Sequence, residues 1–127
     1  MIDQASGTLF FDDGTEVDPR ILRPAFLASP LEKPTAPDAQ SAPPWEIYTL
    51  APRLLDGAPY ASRLSFHGDG LRLLAIWNTA LDEAHRMHAH ETWLLKTIGE
   101  TAKVFDWGKV DAVTEPGGTN IVLFSYL

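Results

Sequence analysis

Residues 60–78 read YASRLSFHGDGLRLLAIWN, and the pattern within them decides the fold class. Leu64 and Phe66 alternate with Arg63 and Ser65, the two-residue period of a strand with one buried face. Gly68-Asp69-Gly70 supplies turn residues, and Leu71 to Trp77 runs back as a second strand. Together they predict an antiparallel hairpin. The returning strand is apolar on both sides, with Leu73 and Trp77 against Leu74 and Ile76.

Working outward, WEIYTLA (45–51) reads as a strand that reaches the hairpin through a turn at Asp56-Gly57. Downstream, FDWGKVDAVTEPGGTNIVLFSYL (105–127) holds two strand-like runs joined at Pro116 and Gly117, which suit the central positions of a type II turn. In the last run Ile121 and Leu123 face one way and Val122 and Phe124 the other. A strand apolar on both sides is expected inside a sheet.

Between these hairpins lies LDEAHRMHAHETWLLKTIGE (81–100), a helix pattern ended by Gly99 as a left-handed cap. At about 100° per residue, Met87, His90, Leu94 and Ile98 form a stripe flanked by Ala84, Glu91 and Leu95. Near the start, TLFFDDGTEV (8–17) places Asp13-Gly14 between two extended runs, and Pro24 to Ala28 suits a short helix that Pro30 must follow rather than join. Residues 32–44, EKPTAPDAQSAPP, hold four prolines and almost no large apolar groups, and read as a surface loop. The expectation is one α+β domain over 1–127: an antiparallel sheet of about five or six strands, with the helix at about 81–98 packed on one face.

Composition narrows the function. The 127 residues carry 17 acidic and 10 basic side chains, a net charge of -7. Neither half is basic, which argues against nucleic acid and against an anionic membrane surface. Cysteine is absent, which excludes disulfides, thiolate nucleophiles and cysteine-ligated metal sites. No apolar run approaches the ~20 residues of a membrane span, and a cytoplasmic location is expected.

Several clusters resemble chemistry. His85, His88 and His90 crowd into HRMHAHE, but on a helix His85 and His88 stand about 60° apart and His90 about 140° from His85. Only His85 and His88 could share a metal, with ligands from elsewhere, so no metal and no cofactor is expected. Leu94 replaces the second histidine of a zinc-protease helix. Ser65, His67 and Asp69 lie too close in sequence for a catalytic triad. Asp12, Asp13, Glu16 and Asp18 lack the ligand spacing of a calcium loop. No catalytic set is recognised.

The order of motifs resembles a group of small uncharacterised bacterial proteins. The resemblance is carried by DDG, FLASPL, the 60–77 run, His90-x-x-Trp93-Leu94, Trp107-Gly108 and the Gly117-Gly118 turn before the closing strand. It implies an α+β fold and brings no established activity. Two functions stay open: a non-catalytic, immunity-like protein-interaction module, or a ligand-binding or hydrolytic domain with a pocket around His90, Trp93 and Trp107. One helix covers only one face of such a sheet. A protein partner, most simply a second copy, is expected on the other.

Overall fold

The hairpin expected at 60–78 lies at the centre of a six-stranded antiparallel sheet. The structure is a computed structural model that describes residues 1–29, 31–34 and 36–127. Pro30, expected to follow the short helix, and Thr35, within the proline-rich stretch, lie outside the described residues. In chain order the elements are β1 (Leu9–Phe10), β2 (Glu16–Val17), α1 (Arg23–Ala28), β3 (Trp45–Leu55), β4 (Ala58–His67), β5 (Gly70–Asn78), α2 (Glu83–Ile98), β6 (Ala102–Phe105), β7 (Gly108–Thr114) and β8 (Asn120–Tyr126). The large sheet has the order β3-β4-β5-β8-β7-β6, and β1 pairs with β2 in a small sheet of its own. The chain is therefore mixed α and β, but sheet dominates it.

The closing strand β8 sits between β5 and β7, as its two apolar sides require. Register separates the two faces. Leu74 opposes Phe124, Ile76 opposes Val122, and Val110 opposes Phe124 on the other flank, so these side chains share one face. Tyr48, Leu64 and Phe66 continue it across β3 and β4. This face is the core. It is covered at one end by α2 and at the other by α1 and the β1–β2 pair, which contribute Leu9, Val17 and Phe26.

Three local expectations need correction. Asp82 accepts from the His85 backbone N–H, so α2 begins at Glu83 rather than Leu81. Its buried residues are His90, Trp93, Leu94 and Ile98, with Met87 53% exposed and Leu95 54% exposed. His90 reaches the ends of β5 and β8, so Met87, one turn earlier, projects beyond the strands; Trp93 replaces it in the stripe. The 115–118 turn is closed by Gly118 N–H donating to Glu115 O at 2.8 Å, but the positive φ falls on Gly118 (93°) and not on Gly117. A type I turn followed by a left-handed glycine fits this pattern, and a type II turn does not.

The stretch 32–44 also has a defined place among the described residues. Asp38 N–H donates to Ile47 O at 2.7 Å, Thr49 Oγ1 donates to Asp38 Oδ2 at 2.6 Å, and Ile47 N–H donates to Ser41 Oγ at 2.9 Å. These bonds occupy the outer edge of β3, which would otherwise offer its polar groups to another chain. The loop shields an edge.

Candidate functional site

His90 is completely buried and bonded at both ring nitrogens. Its Nε2 accepts from Asn78 N–H at 3.0 Å, and its Nδ1 lies 2.8 Å from Asn120 Oδ1. Because Nε2 accepts and a carboxamide oxygen can only accept, the proton belongs on Nδ1. Burial pushes the imidazole below its ordinary value, the Asn120 bond opposes that, Arg86 adds to it and Glu83 opposes it. The ring is thus a neutral cross-link between α2 and the ends of two strands.

Trp93 lies one turn further along, packs on Tyr60 as His90 does, and donates Nε1–H to Asp56 Oδ2 at 2.8 Å. Trp107 is elsewhere. It stacks on Phe105, packs on Tyr126 and donates Nε1–H to Gln4 O at 2.8 Å. His90 meets the first residue of β8 and Trp107 packs on its last, Tyr126, so the two stand at opposite ends of a strand about 20 Å long. The structure brings His90 and Trp93 together and leaves Trp107 apart. All three are occupied by internal partners.

The remaining candidates are also engaged locally. His85 Nδ1 lies 2.6 Å from Asp82 Oδ1, and His88 is exposed on the far side of α2. Among the described residues no group of three or more histidines and carboxylates is placed to hold a metal ion. Asp12 accepts from the backbone N–H groups of Asp56 and Gly57, closing the β3–β4 turn from outside. Asp13 holds Arg53, Asp18 holds Arg20, and Asp69 with Glu46 holds Arg23 at the start of α1. His67 packs on Trp45 while Asp69 turns to Arg23, so Ser65, His67 and Asp69 form no relay.

A surface, rather than a pocket, is the feature with no internal explanation. The face opposite the core is built in cross-strand rows. Ala61, Trp77, Ile121 and Val113 form one row; Arg63, Ala75, Leu123 and Asp111 form the next; Ile47, Ser65, Leu73 and Ser125 form a third. Trp77, Leu73, Leu123, Ile47 and Val113 are half-buried by their neighbours on the sheet. Both helices and the β1–β2 pair lie on the other face. The charges here pair among themselves: Arg63 lies over Trp77 and binds Glu115, and Lys109 binds Asp111 at 3.2 Å. Sequence reasoning foresaw the open face but named only its β5 and β8 residues, because the register that adds Ile47 and Val113 is a property of pairing.

Among the described residues no helix is long and apolar enough to cross a membrane. Comparisons of the chain with protein-family models, curated proteins and solved structures find no match.

Proposed function

We propose that this chain is a non-catalytic interaction module of the cytoplasm that works by association through the open face of its six-stranded sheet, and that the occupant of the face is a second copy. The observation that carries this reading is the one-sided cover. Half-buried Trp77, Leu73 and Leu123 form an apolar strip on a sheet whose other layer is all on the far side.

Size supports a second copy. Six strands about 4.8 Å apart and about seven residues long at about 3.3 Å each give a plane of roughly 670 Å² before side-chain relief. A stable interface takes about 800 Å² of accessible surface from each partner, so the whole of this face, with the relief its side chains add to the plane, is of the size required. Charge supports it too. The molecule carries -7, yet on this face Arg63 is matched by Glu115 and Lys109 by Asp111, so two copies can meet there without bringing like charges together. Two sheets packed face to face would stand about 10 Å apart with the Trp77 rows interdigitating.

Light scattering at micromolar concentration tests this directly. The expected mass is twice the 14.0 kDa of the chain, falling to the single-chain mass in a Trp77→Glu, Leu123→Glu double variant that keeps its circular dichroism spectrum. A wild-type protein that stays at the single-chain mass up to about 100 μM, where a specific dimer of this area should form, overturns the proposal.

A further inference from the structure

On the covered face, the β1–β2 pair, α1 and the sheet leave a cleft of about 500 Å³ between them. That volume lies within the roughly 300–1,000 Å³ of small-molecule sites. Val17, Phe26 and Leu64 are buried beneath it, and half-buried Ile21 and Leu31 present its apolar walls. Thr15, Glu16, Ser29 and Arg53 form the mouth.

The cations at the cleft keep unspent capacity. Lys33 Nζ donates to Ser29 O at 2.8 Å and to Leu31 O at 2.6 Å, and lies 5.6 Å from the centre of the Phe26 ring. Both acceptors are neutral carbonyls of residues that line the cleft, and among the described residues no carboxylate lies within ion-pair distance of this ammonium. An ammonium has three donors, so one remains. Arg53 commits only Nη1, to Asp13 Oδ2 at 2.7 Å and Thr15 Oγ1 at 3.2 Å, and its Nε and Nη2 donors have no partner among the described residues. Glu16 precedes buried Val17 on β2 and is exposed, so strand alternation turns its side chain away from the floor. The net charge of -7 does not decide binding at contact, since physiological salt screens distant charges beyond about 8 Å. An apolar cleft with an unpaired ammonium and open guanidinium donors at its edge is complementary to an amphiphilic anion.

We propose that this cleft binds a hydrophobic carboxylic acid as its anion. The aryl or alkyl body lies between Ile21 and Leu31 over Phe26, and the carboxylate is held by Lys33 Nζ with Arg53 as the second donor. The site is separate from the association proposed above, because it lies on the opposite side of the sheet. Failure of either leaves the other standing.

The test is an NMR titration with phenylbutyrate, phenylbutanol and phenylbutylamine, which share one apolar body and at about pH 7 are anionic, neutral and cationic. The carboxylate should bind about fivefold more tightly than the alcohol, the size of one partly exposed ion pair, and the amine should bind most weakly. Shifts should cluster at Ile21, Phe26 and Leu31. Lys33→Gln should bring the carboxylate and the alcohol to within about twofold, while Lys96→Gln, an exposed lysine on α2, should leave the ranking unchanged. A melting temperature near wild type shows that each variant is folded; if Lys33→Gln is not, the wild-type ranking and the shift map decide. Preference for the amine, equal binding of all three, a preference that survives in folded Lys33→Gln, shifts centred on Trp77 and Leu123, or no saturable binding of the carboxylate overturns the proposal.

Discussion

At the residue scale the decisive group is His90, because both its nitrogens are committed and its ring is sealed from water. Alanine there would orphan the Asn78 N–H and the Asn120 carboxamide, at a cost of about 1–3 kcal/mol. His85→Ala, by contrast, removes an exposed ring and should leave the denaturation midpoint almost unchanged. Urea unfolding of the two variants measures the difference. The same ring predicts a pH dependence. Its folded value is lowered from 6.5, so the unfolded chain binds the proton more readily. This contribution is complete above pH 6.5 and is lost as pH falls below it. Unfolding at pH 7.5 and at pH 5.5 should show the wild type weakened at the lower pH, and His90→Gln should show a smaller difference. Gly108 is a second fixed point. Its φ is 150°, and a side-chain carbon there would stand 2.0 Å from the Ser125 carbonyl oxygen. Gly108→Ala should cost about 3 kcal/mol or more, since backbone of a paired strand cannot move aside.

At the element scale, β3 and β6 are the two edges of the large sheet, and they are managed differently. The edge of β3 is long, at eleven residues, and the 32–44 segment covers it through Asp38 and Ser41. β6 is only four residues long, and Lys103 sits within it, two of the ordinary defences of an exposed strand. Asp38→Ala should thus act on solubility as well as stability. It removes the acceptor of Thr49 Oγ1, a loss of about 1–2 kcal/mol, and frees the β3 edge to pair with other chains. Turbidity on warming should rise earlier in the variant than in wild type. Pro52 lies in β3 because Ala51 and Pro52 form an irregularity between the registers at Leu50 and Arg53. An edge strand tolerates proline at such a place.

At the scale of the whole molecule, one core joins α2, α1, the β1–β2 pair and the large sheet. Trp93 reports the α2 end and Trp107 the N-terminal end, where Tyr126 donates its hydroxyl to Gly7 O at 2.9 Å. A shared core implies one cooperative transition. Denaturation followed by tryptophan fluorescence in a variant that keeps only Trp93 and in one that keeps only Trp107, the other three replaced by Phe, should coincide with circular dichroism in each variant. Separate midpoints would show that the N-terminal cover unfolds on its own.

Strands β4, β5, β7 and β8, the C-terminal cap of α2 and the burial of His90 were legible in the sequence, because each depends on neighbours within one or two turns of chain; the N-cap Asp82 was not. The period of Leu64 and Phe66, the two-sided apolarity of 121–124 and Gly99 after Ile98 are local physics. The extension of β3 through Pro52 was not legible, nor was β6, whose AKVF has too few apolar residues to establish a period. The burial of Trp93 in place of Met87 depends on where the strands end beneath the helix. In the alternative reading, which grouped His90, Trp93 and Trp107, helical spacing brings the first two together, but only strand order reveals that Trp107 lies at the other end of β8. The open face was half legible, as apolar residues on both sides of β5 and β8. Which side would be covered, and which rows would meet on the bare one, was decided by the packing of α1, α2 and the N-terminal pair on a single face, since covering layers compete for apolar area that sequence patterns mark equally on both sides.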